Sequence, residues 1–226
     1  MFSFAMKRAI KALFPIVRDV RGDEYRPMGS AFFVGRGGLF VTCAHLMKRD
    51  EIAAYQYLGR LPHRHHPVLD LEVLEVDEAA DIAIGRVIGL ETPGILRFED
   101  AEPQSGAAMC IVGYPGFCNV TGQGEEPRPY LQPTFLIEYQ SFGPNMRRSM
   151  VMRDNPYFGM SGGPVVDVKG NVLGLQSAVT HPRVNIGGDG RAFQVSNGVA
   201  VLTADIKRVL AKVQGVRSLN TGVTGE

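Results

Sequence analysis

A hydroxyl works as a nucleophile near neutral pH only with a base beside it and donors waiting for the oxyanion. The segment Gly159-Met160-Ser161-Gly162-Gly163-Pro164, running straight into Val165-Val166, offers such a hydroxyl. Its glycines leave Ser161 little steric cover and let the backbone turn two N–H groups inward. A tight glycine turn before a strand has the same composition, so this segment does not decide the matter alone. Of the five histidines, His45 ends the apolar run Val41-Thr42-Cys43-Ala44-His45. Upstream, Gly29-Ser30-Ala31-Phe32-Phe33-Val34 and the turn Arg36-Gly37-Gly38 complete a hairpin that places His45 at a strand end. A base of this kind needs an orienting carboxylate. Asp81 opens the apolar strand Ile82-Ala83-Ile84, whereas Asp77 is followed by Glu78 and two alanines and reads as an exposed turn. Nucleophile, base and orienting carboxylate are therefore assigned to Ser161, His45 and Asp81.

The elements that must position these groups are short apolar runs between turn residues. Candidate strands fall at 14–17, 30–34, 39–42, 68–76, 82–87, 108–112, 134–139, 149–153, 164–167, 172–176 and 199–202. Between them lie Tyr114-Pro115-Gly116, Lys169-Gly170-Asn171 and Gly187-Gly188-Asp189-Gly190, where glycine supplies positive φ and proline presets φ. Many short strands at this spacing predict an all-β sandwich or barrel. Phe2, Met6, Ala9, Ile10 and Leu13 recur at helical spacing and predict an amphipathic N-terminal helix over 1–13, packed on the body or docking a membrane surface or partner. Thr203 caps a second helix whose apolar residues are Ile206, Val209, Leu210 and Val213. Residues 214–226 are polar and glycine-containing and read as a loose tail. The charged, proline-containing stretch 98–106 is the candidate linker between two halves.

Composition bounds the function. With 45% hydrophobic and 21% charged residues, the 226-residue chain has enough apolar mass for a core. Lys plus Arg (24) nearly balances Asp plus Glu (23), so no nucleic-acid partner is expected. Cys43, Cys110 and Cys118 are an odd number and cannot form a disulfide framework. Reduced thiols, a start that does not read as a secretory signal and the lack of a long apolar span give a cytoplasmic expectation, with no transmembrane segment.

Three ordered motifs resemble the trypsin-like serine proteases: Thr42-Cys43-Ala44-His45, Asp81-Ile82-Ala83 and Gly159-Met160-Ser161-Gly162-Gly163-Pro164. The order His, Asp, Ser is that of the chymotrypsin fold rather than of subtilisins or α/β-hydrolases. Val112-Gly113-Tyr114-Pro115 and Gly170-Asn171-Val172-Leu173-Gly174-Leu175 extend the resemblance, which covers roughly residues 14–212. Leu46 after the histidine and Met160 before the serine depart from the animal digestive enzymes. The sequence is most similar to bacterial HtrA-type minimal protease domains, without the PDZ domain. The resemblance implies two packed six-stranded antiparallel β-barrels with the two terminal helices added. Residues 14–102 would form the first barrel, with His45 and Asp81. Residues 103–213 would form the second barrel and the C-terminal helix, with Ser161, and the site would lie in the cleft. It implies an oxyanion hole from the backbone N–H groups of Gly159 and Ser161. It also implies a primary pocket with Asn155 at its floor and Ser177, Ala178 and Val179 along its wall. Asn155 is neutral, so an uncharged pocket for small or medium apolar side chains is expected; a one-residue slip would put Asp154 there instead.

His63-Arg64-His65-His66 has no cysteine or carboxylate at ligand spacing and reads as a solvated loop. Cys118 lies in a glycine-rich loop with no base nearby, and Cys43 reads as a small buried hydrophobe. No metal and no cofactor are expected. The expected activity is hydrolysis of a protein or peptide substrate. The competing reading is a silent or partner-activated binding module on the same fold, with an activating partner protein; an esterase on another fold fits the β-rich pattern poorly.

Overall fold

Strand-forming segments separated by tight turns close into two rings in the computed structural model, which describes residues 2–21, 24–47, 57–59, 69–116, 128–143, 145–181, 183–186, 191–194 and 196–220. The first ring contains β1 (Leu13–Arg21), β2 (Glu24–Phe33), β3 (Leu39–Thr42), β4 (Tyr57–Gly59), β5 (Leu69–Asp77) and β6 (Ile82–Val87). They close as an antiparallel barrel in the order β1-β2-β3-β6-β5-β4. The second contains β7 (Ala108–Gly113), β8 (Tyr130–Phe142), β9 (Arg147–Met152), β10 (Pro164–Val166), β11 (Val172–Thr180) and β14 (Asn197–Leu202). It closes in the order β10-β11-β14-β9-β8-β7. This is the expected all-β architecture of two six-stranded barrels, with helices α1 (Ser3–Ala12) and α2 (Thr203–Asn220) at either end.

Three strands escaped the sequence reading. β4 has only three residues, too few to show a period. β12 (Arg183–Ile186) and β13 (Arg191–Gln194) pair only with each other, and each opens on an arginine without an apolar run. Outside the described residues lie Cys118, His63-Arg64-His65-His66 and Gly187-Gly188-Asp189-Gly190.

Apolar packing differs between the barrels. In the first, Phe14 stacks on Phe33 with centroids 4.7 Å apart and meets Phe40 edge-on at 5.3 Å; both geometries suit the aromatic quadrupole. The second is filled with flexible methionines, Met109, Met150, Met152 and Met160, around Ile111, Leu136 and Val165. The first cluster continues across the interface to Cys110, Val112, Tyr114, Val172 and Leu175, so the barrels share apolar surface. Of the stripe expected from spacing, Ala9 and Leu13 are buried while Phe2 and Met6 pack at the margin, and within α1 the buried residues are Ala5, Ala9 and Ala12. Small side chains let this helix approach the backbone near Gly170 and Gly94, and Arg8 donates to the Lys169 carbonyl at 3.0 Å.

The loose-tail expectation fails over 214–220. α2 continues to Asn220 because helix-forming residues outweigh Gly215, whose cost is about 1 kcal/mol; 221–226 lie outside the described residues. α2 returns from the second barrel to the first, where Arg208 pairs with Asp77 at 3.0 Å and Lys212 with Glu75 at 3.4 Å. Asp77 is therefore not the exposed turn residue expected from its neighbours. Its side chain is 12% exposed and accepts from Ala80 N–H at 2.9 Å. Burial pushes its carboxyl up, but Arg208, the Ala80 N–H and Lys212 outweigh burial and hold it below the usual carboxylate value. A depressed folded-state pKa contributes stability above the unfolded value, and the contribution is lost as pH falls through the folded one. Asp77→Ala is expected to cost about 1–2 kcal/mol in urea unfolding at neutral pH, with the gap to wild type closing in acid.

Candidate active site

β3 delivers the chain at Thr42 to a short 3-10 turn, Ala44–Leu46, whose flanking residues are buried while His45 faces outward. Asp81 closes a second such turn, Glu78–Ala80, immediately before β6. Its φ of 51° is left-handed, a conformation that aspartate tolerates better than branched residues. That bend sets the carboxylate against His45. Both Asp81 oxygens lie 3.0 Å from His45 Nδ1, and the His45 backbone N–H donates to Oδ1 at 3.0 Å. Ser177 Oγ donates to the other oxygen, Oδ2. Burial raises the Asp81 pKa, yet the hydrogen bonds from His45 and Ser177 hold it below the usual range. An ionised carboxylate can only accept, so the shared imidazole proton belongs on Nδ1 and Nε2 keeps its lone pair.

Ser161 sits in the loop between β9 and β10, bounded by Gly159 at φ 92° and Gly162 at φ 83°. A Cβ at Gly162 would strike the Ser30 carbonyl and the Thr42 hydroxyl, so glycine is required for space as well as for φ. Phe158 C=O accepts from Gly116 N–H at 2.7 Å, and Met160 C=O accepts from Gly163 N–H at 3.0 Å. In a trans peptide the N–H points opposite to its C=O. The N–H groups of Gly159 and Ser161 are thereby turned away from those partners, and neither has a bonding partner among the described residues. The Ser161 hydroxyl donates to the Ser177 carbonyl at 3.4 Å rather than to His45.

Ser30, fully buried on β2, ties this loop to the other barrel. Its backbone N–H donates to the Ser161 carbonyl at 2.8 Å, and its hydroxyl donates to the Gly159 carbonyl at 2.8 Å. The same hydroxyl accepts from Tyr114 N–H at 2.8 Å, and Thr42 Oγ1 donates to the Ser30 carbonyl at 2.7 Å. Cys43 lies behind the pair His45–Asp81 and donates its S–H to the Gln176 carbonyl at 3.1 Å. Burial and the adjacent Asp81 charge push its thiol well above the usual range.

The structure brings His45 and Asp81 into direct contact and sets Ser161 against Ser177, whose hydroxyl bonds Asp81. Of the four expected pocket residues, Ser177 turns its hydroxyl onto Asp81. Ala178 is exposed and Val179 half-buried on β11, with Val179 opposite Gly198. Asn155 is exposed, and its carbonyl accepts from Gln132 Nε2 at 2.9 Å. The neighbouring Asp154 carboxylate pairs with Arg153 at 3.2 Å. Sequence reasoning missed Ser30 and the Asp81-directed role of Ser177. A small polar residue inside a strand carries no signal of the bond it will make across a barrel interface.

The trypsin-like peptidase domain family matches residues 29–175. Serine protease Rv3671c of Mycobacterium tuberculosis is 28% identical over 151 residues, covering 66% of this chain and 35% of that protein. A probable periplasmic serine endoprotease DegP-like of Pseudomonas fluorescens is 26% identical over 181 residues, covering 73% and 33% respectively. Serine protease HTRA1B of Danio rerio is 25% identical over 166 residues, covering 66% and 30%. The chain thus spans about a third of the length of these relatives. The crystal structure of the Rv3671c protease in its active form superposes with a TM-score of 0.68 at 20% identity, covering 92% of this chain and 83% of that one, and shares its fold. The chain belongs to the trypsin-like peptidase domain family.

Removing the Ser30 hydroxyl takes the side-chain donor away from the buried Gly159 carbonyl, an omission that typically costs about 1–3 kcal/mol. Ser30→Ala is expected to lower urea-unfolding stability by that amount with an unchanged m-value.

Proposed function

We propose that this member of the trypsin-like peptidase family is a serine endopeptidase. The observation that carries the reading is the paired carboxylate–imidazole contact of Asp81 and His45, next to a serine loop whose free N–H groups are held by bonded carbonyls. Ser161 Oγ attacks the scissile carbonyl carbon while His45 Nε2 takes its proton. Asp81 holds the imidazole with Nδ1 protonated and stabilises the imidazolium. The backbone N–H groups of Gly159 and Ser161 receive the oxyanion, where a lost donor costs about 10²–10³ in rate. Collapse breaks the C–N bond, His45 returns the proton to the departing amine, and water then hydrolyses the acyl-enzyme by the same exchange. Nothing in these steps calls for a metal or cofactor. The substrate is a protein or peptide chain, consistent with relatives named as serine proteases.

One observation favours a second reading, an enzyme held in a resting state until substrate or an activating partner arrives. The Ser161 hydroxyl is engaged with the Ser177 carbonyl, so a side-chain rotation must precede attack. On that reading the chain binds peptide before it cleaves. The division into residues 14–102 and 103–213 follows the two barrels in this proposal. The cytoplasmic placement rests on Cys43 and Cys110, both buried and unpaired; one relative is named periplasmic, and fractionation of cells expressing the chain decides between them.

For specificity we propose an uncharged primary pocket framed by Asn155, Ala178 and Val179. Asp154 already faces Arg153, and this supports Asn155 rather than Asp154 as the residue a substrate side chain meets. Mass-spectrometric profiling of cuts in an unfolded protein mixture should show small and medium apolar residues before the scissile bond; a majority of cuts after Lys or Arg would assign the floor to Asp154. A fluorophosphonate probe should label wild type and not Ser161→Ala, and Ser161→Ala or His45→Ala should each lower turnover by roughly three orders of magnitude or more. Probe labelling that survives Ser161→Ala overturns the nucleophile assignment. Labelling that appears only with a bound partner selects the resting-state reading.

A further inference from the structure

Behind the imidazole lies a thiol that peptide hydrolysis does not use. Cys43 Sγ, a ring nitrogen of His45 and a carboxylate oxygen of Asp81 all lie within 4.8 Å of one another. A tetrahedral zinc ion binds thiolate, imidazole and carboxylate at about 2.0–2.3 Å, so its ligand atoms stand about 3.5 Å apart. The His45–Asp81 contact of 3.0 Å is already near that separation. The three donors also differ in kind. A thiolate is soft, an imidazole borderline and a carboxylate hard, the mixture that favours zinc over magnesium or calcium. Packing alone does not ask for sulfur at residue 43, because a fully buried position between Thr42 and Ala44 takes any small apolar side chain. An ion would reach the cluster from the solvent side, where the His45 side chain is 42% and that of Asp81 22% exposed.

We propose that Cys43, His45 and Asp81 form an inhibitory site for zinc or a similar thiophilic divalent cation. Binding removes the thiol hydrogen that Cys43 now donates to the Gln176 carbonyl, and the proton leaves to solvent. Zinc takes the Nδ1 lone pair, so the proton shared with Asp81 moves to Nε2 and the ring stays neutral. Nε2 then donates instead of accepting and no longer relieves Ser161 of its proton. Coordination also occupies the carboxylate that orients the ring. The inhibitory half of this proposal rests on the peptidase reading; the binding half does not.

Cobalt serves as the spectroscopic probe. Titrating Co²⁺ into the reduced 226-residue chain should produce a near-ultraviolet thiolate-to-cobalt charge-transfer band that saturates at one ion per chain. Zn²⁺, which binds tetrahedral thiolate-containing sites more tightly than cobalt, should bleach it. Cys43→Ala should lose the band, while Cys110→Ala and Cys118→Ala keep it. If Cys43→Ala does not fold, Cys43→Ser keeps the volume and a donor for the Gln176 carbonyl and should lose the band equally. In a turnover assay, zinc should inhibit Cys43→Ala at least about tenfold less effectively than wild type, since loss of even an outer-shell partner of a metal ligand costs that much. A missing thiolate band in wild type, or a band that survives both Cys43 variants, overturns the site. A chain that shows the Cys43-dependent band and cleaves nothing overturns the peptidase reading and leaves the metal site standing. A chain that cleaves without the band does the reverse.

Discussion

The constraint on which the rest of this structure depends is the crossing of one serine from the first barrel into the serine loop of the second. Ser30 offers a backbone N–H and a hydroxyl, and each holds a carbonyl on one side of Met160. A loop containing glycines at positive φ has many accessible conformations, and each must be excluded for two N–H groups to stay aimed at one point. The bonds from Ser30, Gly116 and Gly163 do this with donors that are themselves fixed in a strand or in tight turns. Because Tyr114 N–H and Thr42 Oγ1 complete the bonding of Ser30, the clamp leaves none of its own polar groups unpaired.

A second consequence is electrostatic. Asp81 is drawn into the barrel interface, where an unbonded carboxylate would protonate, and is kept ionised by bonds from the His45 ring, its backbone N–H and the Ser177 hydroxyl. Two of these come from the first barrel and one from the second, so the charge is fully supported only when the barrels are docked. Ser177 serves both partners: its hydroxyl bonds Asp81 and its carbonyl receives the Ser161 hydroxyl. The position that the family resemblance assigns to a pocket wall thus also serves the charge network.

Legibility from the sequence followed burial and locality. The His45–Asp81 contact was legible because each residue stands where an apolar run meets a turn, and Ser161 was singled out because glycines surround it. The strands that carry them, β3 and β6, came out with the observed bounds because their residues are almost all apolar. Strands with a solvent-facing side lost their ends: β8 runs Tyr130–Phe142, with polar and exposed residues at both limits. Ser30 and Ser177 were opaque for another reason. Their partners lie 129 and 96 residues away in the chain, and no local pattern encodes a bond of that range. Asp77 was misjudged likewise, since Arg208 arrives from 131 residues downstream.

That last contact gives α2 a place in the mechanics of the site. The turn Glu78–Ala80 has Asp77 at one end, held by Arg208 and Lys212, and Asp81 at the other, held by His45. Three residues of tight turn transmit displacement with little slack. Helix α2 is therefore a lever whose short arm is the Asp81 carboxylate. Lifting α2 from β5 frees one end of the turn and lets the left-handed bend at Asp81 relax. An element remote in sequence thereby sets how rigidly the imidazole is held.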